Sequence, residues 1–403
     1  MKQNNTIKQF IKITISLLSL AIFGAGIFYL LPLIQHWNKP LAPGLGLPTI
    51  VVTNLPTQGI QPSASSALPA SVATNDNNEI HQGNTTATDA SPIKATVTAA
   101  KPNSTQTPAP QPYCGGPQTM TVLALGIDTR ADNYLYGLAD VIKIVRVDFV
   151  TPKITSLSMP RDLWVQIPEI AENYGITEGK LNQAYFYGTE GMGYYHGPGG
   201  APGLLARTLA LNFGVHVDHY GTVNMRTFEK MIDAVGGIDL YLPYSVDGRP
   251  KDDKTDDLGF FPAGHHHFNG DQALRFSRIR KIDTIFARMD RQTMVLCALR
   301  EKLLTPNVLT SIPQLITSFQ NSMITDLSPA QISQLACLLP NIKKENIIFT
   351  SLPKDILTPS RIYDPHRDSR TSIWKADNDV IRDYVARFQS GTWPDKPDKP
   401  SCP

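Results

Sequence analysis

Charge of either sign is thin in this sequence: Asp, Glu, Lys and Arg make up 18% of 403 residues, and the net charge is only +2. A dedicated nucleic-acid binder carries a strongly basic domain, so that class is set aside. Cysteine is as sparse, with Cys114, Cys297, Cys337 and Cys402 alone and no C-x-x-C or zinc-ligand spacing among them. Aromatic residues are absent between Pro40 and Pro112, where Thr, Ala, Pro, Ser and Asn dominate. So few large apolar side chains cannot offset the entropy of ordering a chain, and residues 35–112 are expected to form a disordered linker. As a flexible coil it would reach roughly 45 Å. No internal repeat is visible.

What the N-terminal part does have is an uncharged run at residues 13–34. As a helix, about 22 residues cover roughly 33 Å, enough to cross a bilayer. Lys2, Lys8 and Lys12 precede it without an acid, which places residues 1–12 in the cytoplasm and the rest outside. A cleaved signal peptide is the competing reading, but its apolar core is shorter and ends in a small-x-small site. The expectation is a single-pass anchor in the cell membrane, an extracytoplasmic domain at 113–390 and a tail at 391–403. Thiols on that side oxidise. Cys297 and Cys337 fall on expected helices while Cys114 and Cys402 bracket the folded part, which favours the pairings Cys297–Cys337 and Cys114–Cys402.

Within the domain, strands are expected at 119–125, 141–149, 154–159, 220–223, 238–242 and 347–350. Helices are expected at 178–187, 204–213, from Asn224 as cap to 235, from 286 to about 304, at 313–319, at 328–339 and at 378–388. This order implies an α/β fold: a layered αβα domain around a central mixed sheet. The charged segment 247–264 reads as an exposed loop, and His265, His266 and His267 as a loop feature, since three adjacent side chains cannot all face one ion on a regular element.

The densest cationic cluster is Arg275 to Gln292, R-F-S-R-I-R-K-I-D-T-I-F-A-R-M-D-R-Q. If its first part is extended, Arg278 and Arg280 leave one face; on a helix starting near Phe286, Arg288, Arg291 and Gln292 share another. Guanidinium forks grip phosphate oxygens bidentately, so such a cup suits a pyrophosphate; a solvated basic face is the plain alternative. Asp128 ends one strand and Asp140 begins the next, where ligand groups gather in α/β sheets. Two carboxylates beside an arginine cup suit Mg²⁺ or Mn²⁺ shared with phosphate, although an Asp at a strand end is also a common turn former.

In order, Gly126-x-Asp128-x-Arg130, Ala139-Asp140, Met159-Pro160-Arg161-Asp162, Lys180-Leu181-Asn182-x-Ala184-Tyr185, Gly236-Gly237-Ile238, Gly270-x-x-Ala273-Leu274, Arg278-x-Arg280 and Arg288-x-x-Arg291-Gln292 resemble the LytR-CpsA-Psr family. The resemblance runs from about 119 to 292 and more weakly to 388. It implies a membrane-anchored glycosyl-1-phosphate transferase that moves an anionic glycopolymer from a polyprenyl-pyrophosphate carrier to a peptidoglycan acceptor, with Mg²⁺ as cofactor. By position it implies Asp128 and Asp140 at the metal, Arg161, Arg278, Arg280 and Arg288 on the pyrophosphate, and Arg130, Lys180, Arg291 and Gln292 beside it. Many members carry an Asp three residues before the closing arginine; here that position is Ile285, with Asp283 as the nearest substitute. Leu138-Ala139 stands where an Arg followed by Ser or Thr is more usual. A prenyl channel is also implied, with 204–213 and 228–235 as candidate walls and Tyr185, Phe186, Tyr187, Tyr194 and Tyr195 near its mouth; plain core packing is the alternative for each. Competing functions are a pyrophosphate hydrolase with the same site, and a non-catalytic prenyl-phosphate-binding envelope regulator.

Overall fold

The computed structural model describes residues 37–47, 110–131, 133–172, 175–250, 256–279, 285–309, 311–319, 322–395 and 402. The expected anchor at 13–34 and most of the linker lie outside these residues. No helix among the described residues is long and apolar enough to cross a membrane.

Strands β1 (Thr119–Ile127), β2 (Ala139–Asp148) and β3 (Lys153–Ser158) form an antiparallel meander. A hairpin of β4 (Trp164–Gln166) and β5 (Glu178–Lys180) follows, then α1 (Leu181–Tyr187) and α2 (Gly200–Phe213). These cross over to β6 (His219–Asn224), parallel to β1. Next come α3 (Met225–Ala234), β7 (Ile238–Leu242), β8 (Val246–Asp247), β9 (Phe260–Phe261), β10 (Gly264–Phe268), α4 (Gly270–Arg278) and α5 (Ile285–Leu303). The remainder is α6 (Pro306–Leu309), α7 (Ile312–Phe319), β11 (Ile324–Thr325), α8 (Pro329–Leu338), β12 (Ile347–Ser351), the hairpin of β13 (Thr358–Asp364) and β14 (Ser369–Lys375), and α9 (Asn378–Ser390). The central sheet runs β11-β6-β1-β2-β3-β12 and mixes parallel with antiparallel pairs, as expected.

Period-two alternation divides β1 between two apolar layers. Leu123, Leu125 and Ile127 join the main core with Leu204, Leu209 and Ile381, whereas Met120 and Val122 face Cys297, Leu338 and Ile347. A smaller core gathers Ile232, Leu240, Phe268, Phe276 and Val295 around β7, β10, α3, α4 and α5.

Four expectations change. Arg275 to Arg278 are helical, because the Asn269 side chain accepts the Gln272 amide at 2.9 Å while Gln272 Oε1 accepts the Asn269 amide at 3.1 Å, a reciprocal cap that starts α4. Helix α1 begins at Leu181, not 178, because 178–180 pair with β4. His265 to His267 lie on β10 against β7, with His267 Nδ1 2.7 Å from Asp239 Oδ1. The disulfides are Cys114–Cys337 and Cys297–Cys402, with Cα separations of 6.0 and 5.3 Å. Cys337 faces the turn at Tyr113–Gly115, whose Gly115 carbonyl accepts from Gln334 Nε2, so neighbouring layers rather than shared sequence region decide the pairing.

The start of the expected linker is corrected as well, since its first described residues are docked and not free. Residues 37–47 lie against the domain: the Leu41 amide donates to the Leu327 carbonyl, the Tyr220 hydroxyl donates to the Pro43 carbonyl at 3.0 Å, and Leu45 is buried in the main core. Proline and leucine suffice for such a strap, because it fills slots in an existing core and needs no core of its own.

Candidate active site

The site grows from an irregularity in the sheet. Gly126 pairs with Val141 but Ile127 with Ala139, which leaves Asp140 as the unmatched residue of a β-bulge. Bulges re-aim a side chain, and they recur beside active sites. The Asp128 amide donates to the Leu138 carbonyl at 3.1 Å, and Asp128 Oδ1 accepts the Leu138 amide at 2.6 Å. Gly137 allows this closure: its φ is +142°, and a Cβ there would lie 2.4 Å from Ile127 Cγ2. The two acids therefore sit at the same end of the β1–β2 pair. Burial, and then the neighbouring Asp140 charge, outweigh the hydrogen bond from Leu138 and raise the Asp128 pKa above the usual carboxylate range.

Arg161 follows the end of β3 and donates through Nη1 to Asp140 Oδ1 and through Nε to Asp162 Oδ2 at 3.3 Å. Lys180 Nζ donates to Asp162 Oδ1 at 2.9 Å. Backbone bonds from Leu181 to Leu163 and from Asn182 to Arg161 fasten the Met159-Pro160-Arg161-Asp162 turn to the start of α1. Arg288 enters from α5: Nη2 donates to the Asp140 carbonyl at 3.0 Å, and Nη1 lies 3.8 Å from Asp140 Oδ2. Burial would raise the Asp162 pKa, but Arg161 and Lys180 more than offset it and hold the group below its ordinary value.

Asp140, Arg161, Arg288 and Gln292 line a tight cleft of about 10 Å³, room for about one water. Beyond Arg161 the surface opens twice. One cavity of about 430 Å³ holds Lys180 at its polar end and Phe186, Tyr187, Met192 and Tyr194 in its wall. Another, of about 640 Å³, lies between Arg161, Asp162 and Lys180 on one side and the β13–β14 hairpin on the other. Arg161 lines all three.

A model of the LytR_cpsA_psr family matches residues 80–379. The chain belongs to the LytR-CpsA-Psr family. It is 26% identical over 254 residues to the polyisoprenyl-teichoic acid–peptidoglycan teichoic acid transferase TagU of Enterococcus faecalis, covering 61% of this chain and 75% of that protein. It is also 26% identical over 217 residues to the regulatory protein MsrR of Staphylococcus aureus, covering 53% of this chain and 58% of that one. Among solved structures, protein gbs0355 of Streptococcus agalactiae superposes with a TM-score of 0.55 at 21% identity, covering 70% of this chain and 90% of that one. That likeness concerns the fold.

Of the residues implied for a LytR-CpsA-Psr site, the structure brings together Asp128, Asp140, Arg161, Lys180, Arg288 and Gln292. Arg291 turns away, and its buried guanidinium donates to the Ile279 carbonyl at the end of α4. Arg278 pairs with Asp256 at 2.9 Å and does not line the cleft. Arg130 is exposed. Arg280 and Asp283 lie outside the described residues, as does the side chain of Ile285. The suggested channel walls are core: Leu204, Leu205 and Leu209 on α2 are fully buried, and so is Ile232 on α3. Phe186, Tyr187 and Tyr194 do line an open cavity, whereas Tyr185 and Tyr195 are buried away from it.

The described residues hold no cluster of three or more His, Cys, Asp or Glu able to cage an ion. A pair of adjacent carboxylates, one with its pKa raised partly by the other, fits a Mg²⁺ or Mn²⁺ that takes its remaining ligands from substrate phosphate and water. Lys143 was missed in the sequence. It sits mid-strand on β2, 4% exposed, with Nζ 2.6 Å from Ser158 Oγ, and burial lowers its pKa to about 8. A lysine inside V-I-K-I-V was the available signal.

Proposed function

We propose that this protein is a membrane-anchored phosphotransferase that takes a glycan-1-phosphate from a polyprenyl-pyrophosphate carrier and joins it to peptidoglycan. The observation that carries this reading is the position of Arg161, bound to Asp140 and Asp162 where an aromatic cavity meets an open polar groove. A diphosphate at that junction would have a lipid-compatible wall on one side and space for sugar on the other. Phosphoryl transfer asks for positioning and charge neutralisation more than covalent help, and arginines with a lysine supply both.

In the reaction, an acceptor hydroxyl oxygen bonds to the phosphorus attached to the sugar. The bond from that phosphorus to the bridging oxygen breaks, polyprenyl phosphate leaves, and the hydroxyl proton passes to a base. Arg161 and Lys180 orient the diphosphate oxygens, and Arg288 holds the bulged Asp140 in place from behind. A divalent cation held by Asp128 and Asp140 would neutralise phosphate charge when bound.

The strap supports a membrane-proximal placement of the domain. Only residues 35 and 36 separate the apolar run from Trp37, so an anchor at 13–34 would hold the domain beside the bilayer, within reach of a prenyl chain. The test uses protein beginning at Trp37, Mg²⁺, a glycan on prenyl pyrophosphate and peptidoglycan. Wild type should form the phosphodiester, and Arg161→Ala and Asp140→Asn should lose at least 100-fold in turnover while staying folded. Unimpaired turnover in both variants rejects the site. Free phosphorylated sugar as the product indicates a hydrolase, and prenyl phosphate binding without turnover a receptor.

A further inference from the structure

The β13–β14 hairpin lies outside every motif that marks the site, yet it forms one wall of the larger cavity. Its register pairs Pro359 with Trp374, Arg361 with Ser372 and Tyr363 with Arg370, so these six share one face. The opposite face carries Ile373 and Asp364, which are buried. Arg361, Tyr363, Arg370 and Ser372 are exposed.

Two observations separate this face from an ordinary solvated surface. The first is pairing. Four surface arginines elsewhere hold a carboxylate, Arg249 with Asp247, Arg275 with Asp271, Arg382 with Asp379 and Arg387 with Asp383, whereas the exposed Arg130 and Arg367 hold none among the described residues. Among the described residues, Arg361 and Arg370 pair with none, and Arg361 Nη2 reaches only the Arg370 carbonyl. The second is attachment. The Trp374 amide donates to the Asp162 carbonyl at 3.0 Å, Trp374 bridges to Leu163, and Gln183 Nε2 donates to Asp364 Oδ2 at 3.1 Å. The hairpin is thus fixed to the same turn that carries Arg161 and to the helix that follows Lys180.

We infer that the outer face of the β13–β14 hairpin is a subsite for the anionic groups along the glycan being transferred, beyond the diphosphate. Two unpaired guanidinium groups offer planar forks to phosphate or carboxylate oxygens, and Ser372 adds a hydroxyl. Trp374 and Tyr363 offer flat apolar surface to sugar rings. The order along the groove is Arg161 and Lys180 for the diphosphate, then Arg361 and Arg370 for charges further along the chain. A neutral chain would leave both guanidinium groups without partners, so the geometry favours a polyanion. This rests on the proposed transferase reading only in naming the bound chain as the transferred one.

The test has a binding arm and a turnover arm, both on protein beginning at Trp37, comparing wild type with Arg361→Gln/Arg370→Gln. In the binding arm the probes are lipid-free poly(glycerol phosphate), oligogalacturonate and a neutral dextran oligomer. Wild type should bind one or both anionic probes with affinity that falls as salt rises, the double variant at least tenfold more weakly, and dextran should not bind. The phosphate and carboxylate probes distinguish the two sources of charge. In the turnover arm, the variant should match wild type on a donor carrying one neutral disaccharide and show at least a tenfold higher KM on a long anionic donor. Equal anion binding by wild type and variant overturns the subsite, as does equal KM on the long donor. Arginine-dependent binding of neutral peptidoglycan fragments overturns it in favour of an acceptor site. If wild type turns over no donor yet binds the anions through these arginines, the subsite stands and the transferase reading falls.

Discussion

Lys143 and Ser158 face one another across the β2–β3 pair, with Nζ 2.6 Å from Oγ, and both are buried. The ammonium lies on the sheet face that carries Val147, 5.8 Å from the centre of the Phe349 ring, and burial lowers its pKa from 10.5 to about 8. Below pH 8 both the folded and unfolded chains carry the proton, and the burial penalty applies in full. Between 8 and 10.5 the folded state releases it first, so stability rises with pH across that window. At about 1.4 kcal/mol per pH unit, the gain is on the order of 3–4 kcal/mol over the whole window, of which roughly 2–3 kcal/mol is reached by pH 10. Urea unfolding at pH 7 and pH 10 should show it in wild type, and Lys143→Met should remove it. A lysine whose wild-type and variant curves stay parallel is not titrating as described.

Arg161 touches two carboxylates with different nitrogens, Asp140 through Nη1 and Asp162 through Nε. A lysine in its place keeps the charge but has a single nitrogen to offer. Arg161→Lys should therefore lose roughly 10- to 100-fold in kcat/KM, with little change in the midpoint of thermal unfolding. Near-wild-type activity would show that charge alone suffices, without the planar fork.

Asp128 is half-buried and its pKa is raised, first by burial and then by Asp140. A raised carboxylate stabilises the fold at acid pH, and that contribution is lost as pH rises through its folded pKa. A cation binds only the ionised form, so the sign for binding is the opposite. Titration of Mn²⁺ alone should show affinity falling on acidification while Asp128 protonates, at a pH above the ordinary carboxylate range. Asp128→Asn should weaken Mn²⁺ binding at pH 7 and flatten its pH dependence. Affinity that is constant from pH 5 to 7.5 would place the cation elsewhere.

Much of this was readable from the chain. The central strands alternate or run apolar for long enough to be found, and Asn224 and Ser328 cap their helices as their chemistry requires, accepting the amides of Thr227 and Gln331. Asp140, Arg161, Lys180 and Arg288 could be named because each stands in an ordered motif. The bulge that turns Asp140 inward could not, since it depends on how β1 meets β2 and not on either strand alone. By spacing, Arg291 shared a helical face with Arg288, and Arg278 shared an extended face with Arg280. The directions of Arg278 and Arg291 depend on Asp256 and on the end of α4, neither of which periodicity reports. The β13–β14 hairpin escaped notice because only one of its faces is buried and its residues are mostly polar or charged.

The disulfides join four distant segments around one apolar layer. Cys297–Cys402 closes a span of 105 residues and Cys114–Cys337 one of 223. On the chain-entropy account, the shorter alone is worth up to about 4–5 kcal/mol, and strain or residual structure usually reduces this. Cys297→Ala/Cys402→Ala should lose on the order of 2–4 kcal/mol in urea unfolding. Mapping of the oxidised wild type by proteolysis and mass spectrometry should recover Cys114 with Cys337 and Cys297 with Cys402. Recovery of Cys297 with Cys337 would contradict the layer arrangement.

The strap at 37–47 makes the last prediction, because it reverses what composition suggested for those residues. Leu45 is 3% exposed and belongs to the main core. Removing a buried leucine side chain costs about 2–5 kcal/mol, depending on how far the slot collapses. A protein beginning at Pro110 should therefore unfold at lower urea than one beginning at Trp37, and Leu45→Ala in the longer protein should recover most of that difference. The Tyr220 hydroxyl supplies a second readout, since it donates to the Pro43 carbonyl and Tyr220→Phe should weaken strap docking without emptying the core. If the two proteins unfold together, the strap contributes nothing to the fold, and the support it lends to the proposed membrane-proximal placement is withdrawn.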